Sequence, residues 1–258
     1  MTSQKNTPVT NPPIVLGNDP GAQLPSPAPS YGIERPVMFS KHSGRWYITL
    51  RQESDVIPLI RHLANEHPKS ICVISHSQSA FAYGDIFDPL SRFSVIRSGK
   101  KARSVEDALA KFSQWGVPSG LCLLRGIASS TGNESVNFQW ATGDALIYWG
   151  LPPQDSFLWP ISVAKTRFAH VYVITPPAQL PTVTSLIGNA FQAHPDSPLV
   201  NEQGPGSLLY HSREICKQTL ASLPRSTINN IVKFYQPVHP PVYFSREFMM
   251  KTMPWVNF

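Results

Sequence analysis

No stretch of about 20 consecutive apolar residues occurs in this chain, so the sequence offers no helical membrane span. Cysteine is scarce as well. Cys72, Cys122 and Cys216 are an odd number, so they cannot all pair within the chain, and no two of them form a C-x-x-C pair. They read as buried free thiols in a reducing compartment, with no metal expected. The N-terminus lacks the basic patch, apolar run and small-residue cleavage site of a secretory signal, so the expected location is cytoplasmic. Charge is thin: only 15% of residues are Asp, Glu, Lys or Arg, which dilutes the net charge of +6.

The familiar signatures of catalysis and cofactor binding are missing too. There is no G-x-x-x-x-G-K-[ST], and the fragment Ser98-Gly99-Lys100-Lys101 lacks the upstream glycine of a phosphate loop. No G-x-G-x-x-G follows a strand pattern, and neither G-x-S-x-G nor H-E-x-x-H occurs. Cys72 and His76 are four residues apart, which in a strand separates their Cα atoms by about 13 Å, too far for proton transfer. No cofactor is expected.

Proline, by contrast, is abundant. Residues 1–30 hold seven prolines, no aromatic residue, and one charge of each sign, Lys5 and Asp19. Such a segment buries too little apolar surface to offset the entropy of ordering it, so it is expected to be a disordered Pro/Ser/Thr-rich arm. Residues 31–258 read as a single globular domain, strand-rich to about 175 and helix-rich beyond. The 19 prolines in this part call for short elements joined by rigid turns.

Within the domain, Trp46, Ile48 and Leu50 alternate with Tyr47, Thr49 and Arg51, which predicts a strand. A helix follows, capped at Ser54, with Val56, Ile60, Leu63 and Ala64 on one face, stopped by His67-Pro68. Ile71–Ser75 then reads as a strand covered on both faces, which makes 45–75 a candidate β-α-β unit. Ser104–Trp115 predicts another amphipathic helix, and Leu121–Ile127 and Phe168–Thr175 predict further strands. Val136–Trp140 and Ala145–Trp149, separated by Thr142-Gly143-Asp144, suggest a β-hairpin. Three stretches of helical spacing begin near Val183, Leu208 and Ile228. The sum is an α/β domain whose mixed β-sheet is packed with short helices, segregated α+β being the close alternative.

Three places hold residues suited to function. Directly after the strand ending at Ser75, His76 is a candidate base, Ser77 or Ser79 a candidate nucleophile, and Asp85 or Asp88 a candidate partner for the imidazole. Loops beyond the carboxyl ends of strands are where α/β sheets bind ligands. The densest basic run is Arg97, Lys100, Lys101 and Arg103, a candidate phosphate contact. Six aromatic rings lie between Phe138 and Trp159, and Trp159 falls outside the alternating pattern, which marks it as a candidate stacking residue. The reading that unites these features is a non-enzymatic binding or regulatory accessory protein whose basic or aromatic surface contacts a macromolecular partner, protein or nucleic acid. A small hydrolase or transferase using residues 76–88 is one alternative. An exported protein carrying a non-cleaved N-terminal delivery signal is another.

Overall fold

A computed structural model describes residues 44–74, 80–90, 94–98, 102–116, 120–125, 143–150, 168–227 and 229. The candidates His76, Ser77, Ser79, Lys100, Lys101 and Trp159, the arm at 1–30 and the stretch Val136–Trp140 lie outside them. All described residues fall in one compact unit, Pro36–Phe258.

Among the described residues seven strands form one sheet: β1 Gly44–Thr49, β2 Lys69–Ile74, β3 Ser94–Arg97, β4 Gly120–Arg125, β5 Ala145–Trp149, β6 His170–Thr175 and β7 Gln192–Ala193. Their order is β3-β4-β2-β5-β6-β1-β7. The helices are α1 Val56–Glu66, α2 Ala80–Leu90, α3 Ala102–Gln114, α4 Leu180–Ile187, α5 Ser197–Asn201 and α6 Tyr210–Ser222. The architecture is thus α/β. The sheet was expected to be mixed, yet every ladder among the described residues is parallel. The physical reason lies in β5. Its two edges are occupied by β2 (Ser70↔Ala145 to Ile74↔Trp149) and by β6 (Ala145↔His170 to Trp149↔Ile174), which leaves no edge for a hairpin partner.

The Gly143-Asp144 pair that suggested a hairpin turn does something else. Asp144 Oδ2 accepts from the Lys69 backbone N–H at 2.8 Å, and the Asp144 N–H donates to the Lys69 carbonyl at 2.6 Å. A Cβ on Gly143 would sit 2.9 Å from that carbonyl, so only glycine permits the approach. The segment therefore fastens the start of β5 to the start of β2.

Burial follows the alternation of side chains along each strand. Ile48, Cys72, Ile74, Leu121, Leu123, Ile147, Trp149, Tyr172 and Ile174 pack against α1, α2, α5 and α6. On the other face, Ile71, Val73, Cys122, Leu124, Tyr148, Val171 and Val173 pack against α3 and α4. Connections running toward β3 carry α1 and α2 on the first face, and those running toward β7 carry α3 and α4 on the second. Right-handed crossovers require this reversal of face with direction. The 45–75 unit is present, but β1 and β2 are not neighbours: β5 and β6 lie between them.

At the start of α1, Asp55 rather than Ser54 occupies the N-cap position, and it makes no side-chain cap bond. Its carboxylate goes instead to Arg213 on α6, whose Nε and Nη2 meet Oδ1 and Oδ2 at 2.7 and 2.8 Å. The edge of β1 is closed in two ways. β7 pairs only with Trp46 and Tyr47. Beyond them the Asn201 carboxamide acts as a substitute peptide, donating to the Thr49 carbonyl and accepting from the Arg51 N–H, both at 2.8 Å.

Candidate functional site

Because the described strands all run the same way, their carboxyl ends lie along one edge, the place where open α/β sheets bind ligands. β2 ends there at Ile74, one residue before the segment that carries His76, Ser77 and Ser79. β3 ends there at Arg97, and the Ser98 N–H still donates to the Leu123 carbonyl at 2.9 Å, so the ladder holds up to the residue before Gly99-Lys100-Lys101. β5 ends there at Trp149, followed by Gly150 at φ +85, before the segment that carries Trp159. Only β4 separates β2 from β3, so their ends are two strand spacings apart, about 10 Å.

The residues expected to act separately prove to be linked. Asp85 and Asp88 lie three apart on α2 and share a side of that helix. Arg97 pairs with both: its Nη1 donates to Asp85 Oδ1 at 2.5 Å, and its Nη2 meets Asp88 Oδ2. The Arg97 side chain is only 16% exposed. It lies across Gly84, where a Cβ would collide with Arg97 Nε, so the missing side chain of Gly84 makes room for the guanidinium. The basic residue named as a phosphate contact and the two carboxylates named as partners of His76 thus form one clamp joining α2 to the end of β3. Arg103 falls in the first turn of α3.

Above this clamp, Tyr83 packs on Trp149 with ring centroids 4.7 Å apart. Tyr148 and Trp149 are fully buried on opposite faces of β5, so these two rings of the aromatic stretch are core residues. Burial pushes the Tyr148 phenol up, which keeps it protonated.

The three thiols are free and buried, as expected from the sequence. Burial pushes Cys72 up, with Cys122 adding to the effect, and burial alone pushes Cys122 up. Cys216 is pushed up to about 12, first by burial, against the lowering influence of Arg61. Thiols this hard to ionise are not nucleophiles at neutral pH. Among the described residues no group of His, Cys, Asp and Glu could hold a metal ion. No helix among them is long and apolar enough to cross a membrane.

What the sequence did not announce is α2 itself, and with it the clamp. Tyr83, Ile86, Phe87 and Leu90 are buried at helical spacing. That periodicity was the available signal, masked by the Ser, Gly, Asp and Pro residues around it.

No protein-family model matches the chain, and no curated protein matches it. Among solved structures, the chain is similar to domain 2 of the DEAD-box helicase Mss116p bound to an RNA duplex, at 11% sequence identity and a TM-score of 0.48, over 80% of this chain and 77% of that one.

Proposed function

We propose that the protein is a non-enzymatic binding or regulatory factor that meets a macromolecular partner at the carboxyl edge of its sheet, with single-stranded nucleic acid as the first partner to try. One observation carries this reading: β2, β3 and β5 run parallel and end on one edge, so the segments holding His76, Lys100-Lys101 and Trp159 all depart from it. Lysine charge supplies affinity for phosphates, and aromatic rings supply grip on unstacked bases. The net charge of +6 favours an anionic partner. Three buried free thiols suit a reducing compartment such as the cytoplasm.

The hydrolase reading has less support, because Asp85 and Asp88 already serve Arg97.

Fluorescence polarisation of a labelled single-stranded oligonucleotide across a salt series tests the proposal. Binding should weaken linearly in log-log salt, and Lys100→Ala with Lys101→Ala should reduce the slope by about 1.4, near 0.7 for each lysine taken away from a phosphate. No binding at low salt, or an unchanged slope in the double variant, overturns nucleic acid as the partner at this edge.

A further inference from the structure

The opposite, amino edge of the sheet holds a group of ring side chains that the partner reading leaves unused. α1 stops because His67 precedes Pro68 and takes the extended conformation, φ −120 and ψ 96. This brings the His67 ring, in a residue only 5% exposed, against the start of β6. There His170 and Tyr172, two residues apart on a strand, present their rings on the same face. His67 Nε2 lies 2.9 Å from the Tyr172 hydroxyl, and the centroids of the His67 and His170 rings are 4.2 Å apart. His170 stacks on Tyr172 at 6.3 Å and 5°.

Charged and titratable groups near this pair come from α1, β6 and the turn between β7 and α5. Glu66 is the last residue of α1, adjacent to His67 in sequence. Tyr172 belongs to β6, and its phenol is pushed up by burial first and then by Glu66 and Asp196, so it stays a hydroxyl. His194, next to β7 and 2% exposed, stands 6.0 Å from the Tyr172 ring and edge-on to Trp46 of β1 at 5.2 Å. Asp196, before α5, reaches within 4.0 Å of His194 Nδ1.

We infer that the His67–His170 pair is an acid-sensitive latch fastening the end of α1 to β6, able to hold one proton in the fold where the unfolded chain holds two. Two imidazolium rings with centroids 4.2 Å apart, one of them in a residue only 5% exposed, repel each other when both are charged, so the fold disfavours the second proton. Below about pH 6.5, the ordinary histidine value, the unfolded chain binds the second proton and the folded chain does not. The unfolded state then binds more protons, so stability falls as pH falls, by up to about tenfold in the folding constant per pH unit.

Urea unfolding of the full chain between pH 7.5 and 5.0, in the wild type and in His170→Asn, reads this out. His62 is pushed down to about 4, first by burial and then by Arg61, and contributes its own acid loss equally to both proteins. The wild type should therefore lose stability more steeply than His170→Asn below pH 6.5, by up to about tenfold in the folding constant per pH unit. His67→Gln, which keeps a hydrogen-bonding group near the Tyr172 hydroxyl, should flatten the curve in the same way and serves if His170→Asn does not fold. Parallel pH curves for wild type and variants, or a wild type that gains on the variants as pH falls, overturn the latch.

Discussion

Replacing Arg213 by Ala should cost roughly 3–5 kcal/mol of folding stability, the range for removing one partner of a buried ion pair. Asp55 is 2% exposed, and its two oxygens are held by Arg213 Nε and Nη2. The same guanidinium donates to the Val200 carbonyl at 2.9 Å, the Glu202 carbonyl at 2.7 Å and the Ser207 hydroxyl at 2.8 Å. One side chain thus ties α6 to the turn before α1, across 158 residues of sequence, and gathers the chain between α5 and α6. Without it a carboxylate stays buried with no cation, and desolvation is no longer compensated. Against a total stability of typically 5–15 kcal/mol, such a loss is a large part of the whole. Arg213→Lys should recover little, because an ammonium cannot span both carboxylate oxygens and the neighbouring carbonyls in the way a planar fork does. Urea unfolding at neutral pH checks both variants. A loss below about 1 kcal/mol for Arg213→Ala, the value of an exposed pair, would show that this ion pair is not buried.

Asn201→Asp should cost roughly 1–3 kcal/mol, and more than Asn201→Ala, although it changes one NH2 group to oxygen. Asn201 Nδ2 donates to the Thr49 and Ser197 carbonyls, both at 2.8 Å. A carboxylate there sets its lone pairs against two carbonyl oxygens and brings a negative charge to the edge of β1. Alanine merely vacates the place, and water can reach the released groups. The order wild type, Ala, Asp in unfolding midpoint is therefore the expected result, measured in urea at pH 7. An Asp variant as stable as the Ala variant would mean that the carboxamide does not act as a strand surrogate on β1.

The two variants also mark how far the sequence could be read. Elements whose apolar pattern is continuous were legible: β1, α1 and β2 lie within a residue or two of where alternation and the His67-Pro68 stop put them. α3 and β4 follow the Ser104–Trp115 and Leu121–Ile127 patterns to within about two residues, and β6 follows Phe168–Thr175 just as closely. α2 was not legible as a helix, because Gly84 and Pro89 disfavour it locally and only burial of Tyr83, Ile86, Phe87 and Leu90 overrides them. Strand direction was not legible at β5, since a Thr-Gly-Asp turn looks the same whether it closes a hairpin or anchors a strand start. The candidate residues Asp85, Asp88 and Arg97 stand out individually, and their mutual pairing was hidden because it needs a helix and a strand end twelve residues apart in sequence to meet in space.

Hydrogen–deuterium exchange with and without a saturating single-stranded oligonucleotide tests most directly whether the partner meets the carboxyl edge. Slowed exchange is expected in peptides covering residues 74–79, 97–103 and 149–159, with the amino-edge peptides around residues 67–70 and 168–170 unchanged. Protection confined to the amino edge, or to the outer surfaces of the helices, would contradict a partner at the carboxyl edge.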